Sequence, residues 1–112
     1  MKQYLDQQQT TKLLELGFDK PKTCLGVGTK EEAGDLELGY IWAYSIGELI
    51  KMLPENVAKE NEMPSTLNIS LMNGEWCVQY ADFLGTDFEF CNTELIDALF
   101  DMIVKLKEQG VI

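Results

Sequence analysis

Leu67–Ala81 reads LNISLMNGEWCVQYA and has the pattern of a β-hairpin. Its central Asn-Gly dipeptide suits the two positive-φ positions of a type I′ turn, and a two-residue turn fixes how the flanking strands pair. In that register one face of the hairpin is wholly apolar and the other is mostly polar, so the turn and the strand period agree. The apolar face contains Leu67, Ile69, Leu71, Trp76, Val78 and Tyr80, and the polar face contains Asn68, Ser70, Met72, Glu75, Cys77 and Gln79.

The strongest helical pattern lies at the C-terminus. Asn92 or Thr93 is a suitable N-cap, and Gly110 is placed to end the helix as its C′ residue. Between them, apolar residues recur at a spacing of 3.6. This stripe contains Leu95, Leu99, Met102, Ile103 and Leu106, widened by Ile96 and Phe100. We expect this helix to cover the apolar face of the hairpin.

Two shorter helices are predicted earlier in the chain. Residues 1–16 form the first, with Asp6 as a suitable N-cap and Thr10 as a later alternative. Ser45 and Glu48 match a capping box, which predicts a second helix at about residues 46–53. The second helix has a glycine in its first turn, so we expect it to depend on packing against the rest of the chain.

Further strands are predicted on both sides of the hairpin. Residues 23–29 and 36–44 can pair as a second hairpin with a long loop, and we expect 36–44 to extend the sheet of the first hairpin. Residues 54–66 are the most polar stretch and are predicted to form a loop. Phe88 and Phe90 alternate with polar neighbours, which indicates a short fifth strand.

These elements predict a single α+β domain over residues 1–112. The expected architecture is a small antiparallel sheet of two hairpins and a short fifth strand, covered on one face by an N-terminal, a short middle and a long C-terminal helix. A chain of this length can bury one hydrophobic core without needing disulfide bonds or metal ions to stabilise it. Strands and helices do not alternate, which disfavours a nucleotide-binding parallel sheet.

The composition is strongly acidic. The chain has 19 acidic and 9 basic residues, a formal net charge of −10, and every basic residue is lysine. Proteins that bind phosphate backbones usually present clustered Lys and Arg, so we expect no direct contact with nucleic acid or an anionic membrane. No apolar run approaches the roughly 20 residues of a membrane span, and the first residues lack a secretory apolar core. We therefore expect a cytoplasmic protein.

No residue pattern indicates a catalytic centre or a cofactor. The chain has no histidine, which removes the commonest general acid/base and the commonest zinc ligand. Gly26-Val27-Gly28 lacks the third glycine of a dinucleotide fingerprint and the GK[ST] end of a P-loop. We expect no cofactor and no catalytic residue.

The three cysteines are Cys24, Cys77 and Cys91. They are odd in number and widely spaced, without a CxxC pair, so they do not indicate a zinc site. Without a secretory signal, an odd count favours reduced thiols in a cytoplasm. We interpret them as inert, buried or half-buried side chains.

A cluster of carboxylates and the flank of the last helix form the predicted interaction surface. The carboxylates could bind a divalent cation, but they lack EF-hand spacing, so a solvated loop is the favoured interpretation and no metal is expected. The helix flank can pack within the chain, which we favour, or form a symmetric dimer contact, so the protein is expected to be a monomer or a homodimer. The surface consists of Glu31, Glu32, Asp35, Glu37, Ile96 and Phe100.

Four stretches carry a resemblance to a family. LLELGFDKP, YSIGELIKMLP, EWCVQY and ELIDALFDMIVKLKEQG together resemble short uncharacterised accessory proteins of bacterial phages and integrated mobile elements. These stretches are helix stops, a capping box and an amphipathic helix. The resemblance implies a small accessory protein in a bacterial cytoplasm and, because that family has no assigned activity, it implies no functional residue.

Three functions are compatible with these features. The favoured hypothesis is a non-catalytic protein-binding or accessory module with an unknown protein partner. The second is a small enzyme or ligand-binding domain that uses carboxylate, thiol or tyrosine side chains, which predicts a concave pocket with convergent polar groups and perturbed pKa values. The third is a structural subunit of a larger assembly.

Overall fold

The computed structural model describes residues 2–27, 40–57, 64–82 and 85–112. These residues form an α+β fold in which the C-terminal helix packs on an antiparallel sheet. The helices are α1 (Gln7–Glu15), α2 (Ile46–Met52) and α3 (Leu95–Glu108). The strands are β1 (Thr23–Val27), β2 (Tyr40–Ala43), β3 (Asn56–Val57), β4 (Ser65–Met72), β5 (Glu75–Asp82) and β6 (Gly85–Asn92).

The central hairpin has the predicted register. β4 pairs with β5 in every predicted pair, from Met72 opposite Glu75 to Leu67 opposite Tyr80. The two turn residues, Asn73-Gly74, have φ angles of 52° and 80°. Positive φ at both positions is what a type I′ turn requires, so the turn dipeptide alone explains the register.

The strands of the described ranges form two sheets rather than one. The larger sheet has the order β3-β4-β5-β6, and β1 pairs with β2 in a separate two-stranded sheet. The predicted pairing of these two strands is confirmed, whereas the expectation that residues 36–44 extend the hairpin sheet is wrong for Tyr40–Ala43. The chain that follows β2 bonds to the N-terminal segment instead, since Leu5 N–H donates to Tyr44 O over 3.1 Å.

The larger sheet also corrects two strand predictions. β6 is not a short strand but pairs with β5 over the length of both strands, with one irregularity near Ala81. Residues 54–66 are not wholly a loop, because they contain β3 and the start of β4. The Tyr80 hydroxyl donates to Pro54 O over 2.7 Å, which holds the segment entering β3 against the sheet.

Capping chemistry determines where α1 and α2 begin. The predicted capping box of Ser45 and Glu48 opens α2. Residues 2–6 are not helical, so the predicted helix over 1–16 is too long. Asp6 is its N-cap, as expected, and Gln9 completes a second capping box with bonds of 2.8 and 3.1 Å. A side chain that binds the first turn in this way gives a helix a defined start.

The core lies between α3 and the larger sheet. α3 packs on β5 and β6, and α2 packs on α3. Along α3 the predicted stripe is fully buried apart from Leu95, which is 8% exposed, and Phe100 at its margin, which is half-buried. On the sheet, Val78 and Tyr80 are fully buried, but Leu71 is 58% exposed. The expectation that Leu71 lies beneath α3 is therefore wrong, because α3 covers β5 and β6 and not the end of β4.

The N-terminal segment is anchored to the start of α3. Lys2 Nζ lies 2.8 Å from Asp97 Oδ1, and Gln9 Nε2 donates to the same oxygen over 2.9 Å. Lys2 N–H also donates to Glu94 Oε2 over 2.7 Å. Partial burial of Asp97 disfavours its charged form, but the hydrogen bonds from Gln9 and Lys2 and the charge of Lys2 outweigh it and lower the pKa of Asp97.

This anchor predicts a dependence of stability on pH. Because folding lowers the pKa of Asp97, the unfolded chain binds more protons, and Asp97 stabilises the fold above its ordinary pKa of 3.8. That contribution is lost as the pH falls from there through the folded pKa. We expect Asp97→Asn to flatten the loss of stability between about pH 5 and pH 3, measured by urea unfolding.

Asp101→Asn is the matched control for this prediction. Burial, followed by the charge of Asp97, raises the pKa of Asp101, so this carboxyl acts in the opposite direction. Its removal should leave the acid loss of stability at least as steep as in the wild type. Equal flattening by both substitutions would contradict the anchor.

Candidate functional site

β4 has a free outer edge in the part of the chain that the structure describes. β3 pairs only with the first two residues of β4, and Leu67 N–H donates to Glu55 O over 2.9 Å just beyond them. In an antiparallel pair, alternate residues turn their backbone groups away from the partner strand. Since the backbone N–H of Leu67 points to the outer edge, the backbone groups of Ile69 and Leu71 point there too. Their N–H and C=O groups form the open part of this edge, and no described strand pairs with them.

Two large apolar side chains are exposed where this edge meets the turn. Leu71 is 58% exposed and Met72 is 56% exposed, while Trp76, directly opposite Leu71, is half-buried. Single exposed apolar side chains are common, but adjacent ones beside a free strand edge are typical of binding surfaces. We call Asn68–Met72 the β4 edge.

The two edges of the larger sheet differ in charge. β4 has the sequence STLNISLM, with no charged residue and no proline. β6, at the opposite edge, carries Asp87 and Glu89, both exposed. Natural edge strands are usually protected from pairing by charges, prolines or bulges. β6 has such protection and the β4 edge has none, although the chain is strongly acidic elsewhere.

The structure changes the predicted interaction surface. Ile96 is fully buried, so its prediction as a surface residue is wrong; its flank of α3 packs within the chain. Phe100 is half-buried and lines a shallow depression with Phe90 and Val104. The four carboxylates of the predicted surface lie outside the described residues: Glu31, Glu32, Asp35 and Glu37.

A concavity of about 410 Å³ lies where the end of α1 meets α2. Phe18, Tyr44 and Met52 supply its apolar wall. The remaining lining consists of charged side chains: Asp19, Lys20, Lys22, Glu48 and Lys51. This is the kind of pocket that the ligand-binding hypothesis predicts, and its lysines give it a local excess of positive charge.

Two polar side chains of this concavity, Glu48 and Tyr44, already form hydrogen bonds within the fold. Glu48 accepts hydrogen bonds from Ser45, the Lys22 backbone and the Thr23 hydroxyl. Burial opposes its charge, but these donors outweigh it and lower the pKa of Glu48. Burial, followed by the charges of Glu48 and Asp19, raises the pKa of Tyr44 to about 12, and its hydroxyl donates to Asp19 O. Neither group is poised to exchange a proton near neutral pH, so the concavity can bind but has no general acid or base in this pair.

Cys77 and Cys91 lie opposite each other on β5 and β6 and are joined by a disulfide bond. The expectation of reduced thiols therefore does not hold for this pair. Their Cα atoms are 4.1 Å apart, as in the narrow, non-hydrogen-bonded pairs of an antiparallel ladder. The hairpin register places Cys77 on the polar face of the sheet, but identifying Cys91 as its partner required the pairing of β6 along its full length.

Comparisons with protein-family models, curated proteins and solved structures find no match to this chain. Within the described ranges, no helix is long and apolar enough to cross a membrane.

Proposed function

We propose that this chain is a non-catalytic protein-binding module whose β4 edge adds an extended segment of a partner protein as a further strand. The observation that carries the proposal is an uncharged edge with which no described strand pairs and beside which Leu71 and Met72 are exposed. Strand addition uses main-chain hydrogen bonds for affinity and side-chain contacts for specificity. The edge offers both: the outward backbone groups of Ile69 and Leu71, and the apolar side chains at the turn.

The charge of the molecule sets the chemistry of the partner. A segment that approaches a chain with a net charge of −10 is attracted if it is basic and repelled if it is acidic, whereas a neutral segment is neither attracted nor repelled. We therefore propose a neutral or basic segment with apolar residues at alternate positions. The resemblance to accessory proteins of phages and mobile elements leads us to propose a bacterial cytoplasmic protein as the partner.

A charge on the β4 edge is expected to weaken this binding. Leu71→Lys places a protecting charge beside the outward backbone groups, and its exposed position should leave the fold intact. We expect the wild type to capture a partner from bacterial lysate. The affinity of Leu71→Lys for this partner should be at least about tenfold lower, a difference of about 1.4 kcal/mol in binding free energy. Binding is measured on the purified partner by calorimetry.

Thr86→Lys on β6 is the control, because it makes the same charge change on the opposite edge at an exposed position. It should bind the partner like the wild type. Hydrogen exchange supplies the second readout: the amides of Ile69 and Leu71 should become protected in the complex. Retained binding by Leu71→Lys, or protection confined to β6, would contradict strand addition.

The concavity supports a second candidate function, the binding of a small anionic ligand. Lys20, Lys22 and Lys51 line it beside the Phe18 ring, and Lys107 Nζ lies 5.4 Å from the centre of that ring. Anions are attracted to such a cluster of ammonium groups. Leu71→Lys lies on the β4 edge and would leave this binding unchanged, so the two candidates are separable.

A further inference from the structure

Cys77, Cys91 and Glu89 form a cluster of ligand-type side chains on the face of the larger sheet that α3 does not cover. One ligand atom from each lies within 4.8 Å of the other two. Glu89 Oε1 is 3.5 Å from Cys91 Sγ. We propose that the reduced form of this cluster binds a divalent, thiolate-preferring cation of the zinc type, and that the disulfide is its metal-free, oxidised form.

The strand register builds the cluster. Cys91 stands opposite Cys77 on neighbouring strands, and Glu89 lies two residues before Cys91 on the same face of β6. Zinc–sulfur and zinc–oxygen bonds of about 2.3 and 2.1 Å in a tetrahedron separate the ligand atoms by roughly 3.5–3.8 Å. The spacing of the cluster accommodates that requirement after the sulfur–sulfur bond opens.

Ser70 is a second observation that points to this site. Ser70 stands opposite Cys77, so Ser70, Cys77 and Cys91 form one row across β4, β5 and β6. The Ser70 Oγ is buried, and no described group is its hydrogen-bond partner. A hydroxyl beside a thiolate can donate to the sulfur and orient it, which is the usual role of groups that support metal ligands.

Charge explains why the reduced form would take a cation. Two thiolates and the Glu89 carboxylate would place three negative charges within 4.8 Å of one another. A divalent cation bound between them would offset this repulsion. Thiolate ligands select zinc-type metals over Mg²⁺ and Ca²⁺, which take oxygen ligands.

A dithiol reductant supplies the electrons and protons that convert the disulfide form into the dithiol form. Two electrons from the reductant break the bond between Cys77 and Cys91, two protons give two thiols, and the reductant becomes a disulfide. The cation then displaces both thiol protons and forms two metal–sulfur bonds, with Glu89 as the third ligand and water in the remaining position. In the reverse direction a disulfide oxidant accepts two electrons from the thiolates and is reduced to two thiols, the bond between Cys77 and Cys91 forms again, and the metal is released.

The test uses Co²⁺ as the probe on the full chain carrying Cys24→Ser, which leaves Cys77 and Cys91 as its cysteines. After reduction with a phosphine and removal of oxygen, we expect one Co²⁺ per chain with thiolate-to-cobalt charge-transfer absorption, displaced by Zn²⁺. The oxidised chain should show no such absorption. Its absence in the reduced chain would overturn the proposal.

Glu89→Gln and Glu75→Gln form a matched pair for the third ligand. Both remove one exposed carboxylate from the open face of the sheet, but Glu75 lies two residues from Cys77 and outside the cluster. Glu89→Gln should weaken Co²⁺ binding at least about tenfold, since even supporting residues have effects of that size, and Glu75→Gln should not. Equal affinities in the two variants would overturn the assignment of Glu89. Circular dichroism verifies that both variants are folded.

Discussion

Leu99→Ala is expected to lower the free energy of unfolding by about 2–5 kcal/mol, the range for buried leucines cut to alanine. Leu99 is fully buried on α3, which packs on β5 and β6. The substitution removes apolar contacts from both layers and leaves a cavity that close-packed neighbours fill only in part. Since a domain of this size is stable by about 5–15 kcal/mol, one such change can remove a third or more of its stability.

The measurement is urea unfolding followed by the fluorescence of the two tryptophans, Trp42 and Trp76. Leu71→Ala is the matched control, because it makes the same chemical change at a position that is 58% exposed. Its effect should stay within about 0.5 kcal/mol. If both substitutions destabilise the chain equally, the packing of α3 on the sheet is not as described.

The parts of the fold that follow from local chemistry were predictable. Asn73-Gly74 fixes the hairpin register because only a two-residue turn with both φ angles positive fits there. Ser45 and Glu48 fix the start of α2 because each side chain binds the other's backbone N–H. These signals are complete within a few residues, so no knowledge of the rest of the chain is needed to read them.

The candidate sites depend on contacts between distant segments, and the sequence predicted them poorly. Ile96 and Phe100 both flank the apolar stripe of α3, but only the packed structure shows Ile96 fully buried and Phe100 half-buried. Likewise, the alternation of β4 gives no indication that β3 covers only its first two residues. The edge of β4 and the pairing of the two cysteines depend on strand order and strand length. The alternation of side chains within one strand does not predict either of these.

Reduction of the Cys77–Cys91 bond, in a chelator that removes metal, is expected to lower the free energy of unfolding by about 2–4 kcal/mol. The two cysteines are 14 residues apart, and a closed loop of about 15 residues restricts the unfolded chain by about 3 kcal/mol. The folded state keeps β5 and β6 paired without the bond, so the effect acts mainly on the unfolded chain.

Urea unfolding of the Cys24→Ser chain with and without a phosphine reductant measures this effect. The chain that also carries Cys77→Ala and Cys91→Ala is the control, and reductant should not change its stability. If reduction leaves the Cys24→Ser chain equally stable, the cross-link does not form in solution. Zn²⁺ added to the reduced chain without chelator should restore stability, because a ligand that binds only the folded state stabilises it by mass action. If reduction lowers the stability and Zn²⁺ does not restore it, the disulfide is supported and the metal site is refuted. The two forms of the cluster are therefore tested separately.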